Sequence, residues 1–348
     1  MPLTRVLIAD DSLLIRTVLR DLLAADPHVE IVGEAGDGRV AVELTARLKP
    51  DLVIMDVMMP VMDGLEAVAE IMASTPVPIL MLSANTDPAD SRSAFAAIRL
   101  GALDVMAKPA GATTAAFGEL SALLIAKVRS LSRIRVMHHF RPQRRQAAPA
   151  PAPLAPLPAG KRRLLAIGAS TGGPKAVLQL LKELPADLPA AGLIVQHIAD
   201  GFAVGFAEWL DREVPLAVKL AREGDTLQPG RLLVAPNGTH LTVTGTGRVA
   251  LRPTAPLHNC RPAADALFQS LAAAGLGSET VGVVLTGMGN DGASGLKALH
   301  DQGAYTLAQD EASCAVFGMP KAAIDAGGVD QVLPLTAMAG VIRPLFAG

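Results

Sequence analysis

Three residues of this chain, Ser170, His197 and Asp291, offer a hydroxyl, an imidazole and a carboxylate, each at or just beyond the end of a short apolar run. Ser170 sits in "AIGASTGGP", His197 closes "GLIVQH", and Asp291 lies in "GMGNDG" after "VGVVLTG". A serine becomes a nucleophile when an imidazole takes its proton and a carboxylate orients that imidazole. The turn around Ser170 could instead cradle a phosphate. Glycines at 168 and 172 permit a sharp strand-to-helix turn, and Pro174 suits the first turn of the helix that "KAVLQLLKEL" continues, with Val177, Leu180, Leu181 and Leu184 on one side. Free N–H groups at that helix start serve an oxyanion and a phosphate equally well, so the turn alone does not decide.

Neighbouring patterns narrow the choice. The chain carries neither the G-x-G-x-x-G of dinucleotide folds nor a Walker ending in Gly-Lys-Ser/Thr. The order Ser…His…Asp departs from the Ser…Asp…His of α/β-hydrolases. His240 in "NGTHLTV" and His258 in "LHNCRP" are rival bases, but neither ends a clear parallel strand. Cys314 in "EASCAVFGMP" is a rival nucleophile with no histidine beside it in sequence, and Asp291 could merely cap the helix that "GASGLKAL" begins. Three catalytic residue types at three strand ends favour Ser170 as nucleophile, His197 as base and Asp291 as the orienting group. Glycines at 287, 289 and 292 would let the last loop turn its N–H groups toward a developing oxyanion.

A second constellation stands in the first part of the chain. Asp10 and Asp11 follow "RVLIA", Asp56 ends "DLVIMD", Ser83 follows "VPILML" and Lys108 ends "DVMAK". Three carboxylates in one crevice repel each other until a cation neutralises them, and an all-oxygen set suits Mg²⁺. A lysine and a hydroxyl beside them could hold a phosphoryl group arriving on a carboxylate nucleophile. Taken singly, Asp11 or Ser12 could be no more than a helix cap.

Both constellations need strand ends that face the same way. In each half, short apolar runs alternate with helical patterns such as "SLLIRTVLRDLLAAD", which puts Leu14, Val18 and Leu22 at four-residue spacing. That alternation predicts an α/β fold with parallel sheets covered on both faces. "HLTVTGTGRVALRP" predicts an antiparallel hairpin. The pattern fades after Leu131, and "RPQRRQAAPAPAPLAPLPAGKRR" reads as a semi-rigid linker whose basic flanks are either a solvated tether or a contact for an acidic partner.

Composition excludes several classes. With 348 residues, two domains are expected. A net charge of −2 demands neither a nucleic-acid nor a membrane partner. Two cysteines, far apart, argue against a disulfide framework and for a reducing cytoplasm. "MPLTRVLIADDS" is not a secretory signal, and no apolar stretch is long enough for a membrane span.

At residues 1–125, "DDS", "DLVIMDVMMPVMDG", "MLSA" and "AKP" resemble, in order and spacing, the receiver domain of two-component response regulators, a flavodoxin-like fold. The resemblance implies that Asp56 accepts phosphate, that Asp10, Asp11 and Asp56 bind Mg²⁺, that Ser83 and Lys108 contact the phosphoryl group, and that Lys108–Pro109 is cis. The aromatic switch residue usual three positions before this lysine is Val105 here. At residues 163–348, "IGASTGGP", "QHI", "VAPNGTHL", "RPAADALF", "LTGMGNDGASGL" and "QDEASCAVFGMP" resemble the catalytic domain of chemotaxis protein-glutamate methylesterases, the CheB family, a doubly wound and mostly parallel Rossmann-like fold. Residues 126–162 would then be the linker. The resemblance implies a triad of Ser170, His197 and Asp291, with oxyanion contacts near Thr171 and Met288. It implies hydrolysis of glutamate methyl esters and deamidation of glutamines on methyl-accepting chemoreceptors, without a cofactor for hydrolysis. A chemotaxis histidine kinase would be the phosphodonor, and the unphosphorylated receiver would cover the entrance to Ser170. Two other classes compete: a receiver driving a binding module with a degenerate triad, and a nucleotide-binding output domain. A DNA-binding output fits less well, because the second half is neither basic nor a short helical module.

Overall fold

The computed structural model describes residues 3–84, 88–109, 114–134, 136 and 162–346. The Pro/Ala-rich linker core lies outside them. The first half runs β1 (Thr4–Ala9), α1 (Leu13–Leu23), β2 (Val29–Ala35), α2 (Gly38–Leu48), β3 (Leu52–Asp56), α3 (Gly64–Ser74), β4 (Ile79–Ser83), α4 (Pro88–Leu100), β5 (Asp104–Ala107) and α5 (Thr114–Leu131). Its strands form one parallel sheet in the order β2-β1-β3-β4-β5. α5 continues past residue 125, so the expected linker boundary falls inside a helix.

The second half begins with β6 (Leu164–Ala169), α6 (Gly173–Lys182), β7 (Ala191–Gln196), α7 (Phe202–Glu213), β8 (Ala217–Leu220), β9 (Arg231–Val234), β10 (His240–Val243) and β11 (Val249–Arg252). It continues through α8 (Ala264–Ala273), β12 (Thr280–Val284), α9 (Ala293–Asp301), β13 (Tyr305–Gln309), α10 (Met319–Asp325), β14 (Gln331–Leu333) and α11 (Leu335–Phe346). Seven strands form a parallel sheet, β14-β13-β12-β6-β7-β9-β8, and β10 pairs antiparallel with β11 as the alternation predicts. Arg162, expected at the end of the linker, is buried and donates to the carbonyls of Ser278, Thr280 and Gly303.

Continuous apolar runs make the central strands, because a parallel strand with helices on both faces meets no water on either side. Every residue of β6 and β7 is buried. Val177, Leu180, Leu181 and Leu184 all face the core as expected. α1 differs: Leu19, Leu22 and Leu23 are buried, whereas Leu14 is 71% exposed. Its first turn stands at the carboxyl edge of the sheet, where the crevice opens to solvent.

Each sheet has a point where successive connections wind in opposite directions, and ligands of open α/β sheets bind there, beyond the carboxyl ends of the strands. In the first sheet that point lies between β1, which leads to Asp10, and β3, which ends in Asp56. In the second it lies between β6 and β12, which lead to Ser170 and Asp291. The two halves meet through α4 and α7: Phe95, fully buried, lies 5.4 Å from the Phe206 ring and 5.5 Å from Trp209, stacked on the latter. Arg99 pairs with Glu213 at 3.3 Å beside them.

Candidate active site and phospho-acceptor crevice

In the second sheet, Ser170 leaves β6 as a half-buried residue. Its N–H donates to the Thr286 carbonyl at 3.0 Å, and its own carbonyl accepts from Gly173 N–H at 2.7 Å. Gly172 adopts φ +74, and a Cβ there would collide with Ala315, so the turn requires glycine. A Cβ on Gly287 would strike Ser170 and Met319. Gln196, which sequence reasoning passed over, is buried and fastens two strand ends together. Its amide N–H groups donate to the carbonyls of Ser170 at 2.8 Å and His197 at 2.9 Å. The signal was its place just before His197 in "QHI".

His197 and Asp291 come together, with Nε2 2.7 Å from Oδ2. Asp291 is 2% exposed, and it also accepts from the N–H groups of Ala264 at 2.6 Å and Asp265 at 2.9 Å. It therefore caps α8 across the fold rather than the helix that follows it, and the positive end of α8 favours its charge. Burial pushes its carboxyl up, but the His197 contact and the two N–H groups outweigh that and hold it below the usual carboxylate range. Burial likewise pulls the His197 imidazole down, yet Asp291 and, next, Cys260 lift it to about 9. Cys260 is a neighbour the sequence did not reveal. Its Sγ lies 3.6 Å from His197 Nδ1. Among the described residues no hydrogen bond joins Ser170 Oγ to His197, so the two share a sheet edge without touching.

The rivals resolve structurally. His240 is buried; it takes the Ala263 N–H on Nδ1 at 3.1 Å and donates from Nε2 to the Ala255 carbonyl at 3.0 Å. His258 bonds Asp265 at 2.8 Å. Burial pushes the Cys314 thiol up to about 12, which keeps it protonated and inert. Thr171 is buried, and its carbonyl accepts from Thr286 Oγ1 at 2.9 Å. Met288 lies in the loop between Gly287 and Gly289 and borders a cavity of about 480 Å³ shared with Ala122, Ile125 and Ala126 of α5.

In the first sheet, the five expected residues converge. Lys108 Nζ lies 2.8 Å from Asp10 Oδ2 and 2.7 Å from Asp56 Oδ2. Ser83 is buried at the end of β4, and its carbonyl takes the Lys108 N–H at 2.9 Å. Asp10 is buried and Asp11 exposed; Ser12, not Asp11, caps α1 by accepting from Ile15 N–H. The carboxylates of Asp10, Asp11 and Asp56 present oxygens within 4.8 Å of one another. Burial is the main force that pushes Asp56 up to about 6, aided by Asp10 and opposed by Lys108. Three acids against one lysine fit a divalent cation with oxygen ligands. A Cβ on Gly64 would collide with the Asp56 carbonyl, so α3 can start this close to the crevice only from glycine. Lys108–Pro109 is trans, contrary to expectation, and the cis peptide among the described residues is Arg261–Pro262. Trans is the lower-energy form, and no sequence signal at Lys108 distinguishes the two. Val105 is buried on β5 with no ring to swing.

Known proteins share both halves. The receiver-domain model of response regulators matches residues 6–115, and the CheB methylesterase model matches residues 165–342. The protein-glutamate methylesterase/protein-glutamine glutaminase 2 of Anaeromyxobacter dehalogenans is 46% identical over 343 residues, covering 98% of this chain and 96% of its own. A like-named protein of Pseudomonas aeruginosa is 42% identical, covering 98% of this chain and 96% of its own. The solved catalytic domain of the Thermotoga maritima CheB methylesterase, 36% identical, superposes with a TM-score of 0.51 over 53% of this chain and 98% of that one. No helix among the described residues is long and apolar enough to cross a membrane. The chain belongs to the CheB methylesterase family, as a hydrolase built on a parallel α/β sheet and carrying its own response-regulator receiver.

Proposed function

We propose that this chain hydrolyses glutamate methyl esters and deamidates glutamines on the cytoplasmic segments of chemoreceptors, with Ser170, His197 and Asp291 as its triad. The observation that carries the reading is the His197–Asp291 pair, locked by two α8 N–H groups at the sheet edge where Ser170 sits. Because Nε2 faces Asp291, Nδ1 is the atom that accepts the Ser170 proton. Ser170 Oγ then attacks the acyl carbon, and as the C–O or C–N bond breaks the imidazolium gives its proton to the leaving methoxide oxygen or amide nitrogen, releasing methanol or ammonia. Water hydrolyses the acyl-enzyme by the same base. Among the described residues the N–H groups of Thr171 and Met288 donate to no protein acceptor, which suits them to the oxyanion.

Phosphorylation would fall on Asp56, with a chemotaxis histidine kinase as donor. Asp10, Asp11 and Asp56 would hold Mg²⁺, which neutralises charge on the incoming phosphoryl group. The Asp56 carboxylate is the nucleophile, while Lys108 and Ser83 steady the transferred group. Regulation would act through α5, whose residues line the same open depression as Met288, in the loop that also carries Asp291. Loosening that contact would open the site in the cytoplasm, where the receptor segments lie. Methanol release from a methylated receptor fragment tests the reading. It should need Ser170, vanish in Ser170→Ala, and rise with Mg²⁺ and a small phosphodonor. Release that survives Ser170→Ala would sink the triad. No release, with Asp56 still phosphorylated, would leave a receiver on a binding module.

A further inference from the structure

We propose that Cys260 and His197 form a second reactive pair inside the hydrolase site, and that covalent modification of the Cys260 sulfur by electrophiles or peroxides shuts off ester hydrolysis by blocking the imidazole. The pairing rests on geometry, and the shut-off rests on the hydrolase reading above. Cys260 Sγ stands 3.6 Å from Nδ1, the imidazole atom that Asp291 leaves free.

The chain is built to hold the sulfur there. Leu257 and Cys260 exchange both backbone hydrogen bonds, at 3.1 and 2.7 Å, closing a two-residue turn. The turn residues are His258 at φ +51 and Asn259 at φ +59, both left-handed and neither glycine. Such backbone persists only where its surroundings enforce it. Here His258 is tied to Asp265 at 2.8 Å, and buried Asp265 in turn accepts from Gly295 N–H at 2.6 Å. Cys260 and Cys314 are both half-buried, so burial does not separate them. Cys314 provides an internal control: its sulfur faces the Gln309 carbonyl at 3.9 Å and no imidazole.

The chemistry balances without a metal. The His197 imidazolium, stabilised by Asp291, faces the sulfur, and the Cys260 proton leaves to solvent as the sulfur attacks. With a peroxide, the sulfur attacks oxygen and the O–O bond breaks. The departing hydroxide takes a proton from solvent to become water, and sulfur, oxidised by two electrons, is left as a sulfenic acid that a thiol can reduce. With iodoacetamide an S–C bond forms, the C–I bond breaks, iodide leaves and the proton goes to solvent. Either product sits against the atom that must take the Ser170 proton.

The test treats the full-length protein with iodoacetamide and follows both cysteines by peptide mass spectrometry, with methanol release measured in parallel. Cys260 should react about tenfold or more faster than Cys314, and His197→Gln should slow Cys260 about tenfold while sparing Cys314. Activity should fall in step with Cys260 modification. Cys260→Ser, referred to its own untreated rate, should resist both iodoacetamide and hydrogen peroxide, whereas Cys314→Ser should remain sensitive. Equal rates at the two cysteines in wild type, or indifference to His197→Gln, overturn the pair. Full modification of Cys260 at an undiminished rate overturns the shut-off. A wild type that releases no methanol removes the hydrolase reading and the shut-off with it, while the ratio between the cysteines still judges the pair. That ratio needs no variant, so misfolding of His197→Gln does not shield it.

Discussion

Asp56 and Asp291 are both buried aspartates at the carboxyl edge of a parallel sheet, and their environments drive them in opposite directions. Asp56 is pushed up to about 6 because burial and Asp10 outweigh its lysine. Asp291 is held below the ordinary range because an imidazole and two helix N–H groups outweigh the same burial. Burial alone therefore does not decide what a carboxylate is for. An acid left short of partners is poised to receive a cation and a phosphoryl group. An acid whose lone pairs are filled is a fixed strut that orients something else.

The strongest way to break this contrast is Asp291→Asn. An amide keeps the shape but cannot stabilise an imidazolium, and the ester hydrolysis rate should fall by about 10⁴-fold, read as kcat on a methylated receptor fragment. A loss under tenfold would mean that Asp291 acts mainly as the α8 cap. The next effect is on the pH profile. With His197 near 9, the base is protonated at neutral pH, so kcat/KM should climb about tenfold per pH unit from 7 to 8 and level off above about 9. A plateau beginning at 6 or 7 would remove the raised imidazole.

Asp56 sharpens the other side. The folded state holds its proton more tightly than the unfolded chain does, so the favourable contribution is complete below pH 3.8 and is lost as pH rises through about 6. Ionised Asp56 costs on the order of 3 kcal/mol at pH 8. Asp56→Asn should therefore raise Tm at pH 8 but leave it nearly unchanged at pH 3.5, and it should abolish stimulation by a phosphodonor. An equal Tm gain at both pH values would put the cost elsewhere.

The smallest expected effect asks whether the two aspartates communicate. Phe95 fills an aromatic cluster with Phe202, Phe206 and Trp209 of α7. Phe95→Ala should loosen the contact between halves and raise the unphosphorylated methanol-release rate about two- to fivefold, since a lost core phenylalanine costs a few kcal/mol, shared here with the receiver's own fold. An unchanged rate in a folded variant would place the coupling on α5 instead.

Much of this was legible in the residues. The runs "RLLAIGAS" and "GLIVQH" could only be buried strands, and they are β6 and β7, with Ser170 and His197 just past their ends. Less legible were β8, β9 and β14, three or four residues long and part-exposed, which are too short to show a period. Leu14 misled the helical reading because spacing finds the apolar stripe but not where the sheet beneath it ends.

The sequence by itself determined which chemistry was available: the strand-end acids, the serine turn and the family motifs are local, and local order carries them. Tertiary structure alone decided who touches whom. Asp291 caps a helix that begins 27 residues earlier, and Cys260 meets an imidazole 63 residues upstream. Phe95 finds its stacking partner Trp209 in the other half of the chain. Such contacts depend on how strands order themselves in a sheet and on how two sheets dock. Both are set by burying apolar surface over the whole fold, a sum to which no single stretch of sequence holds the key.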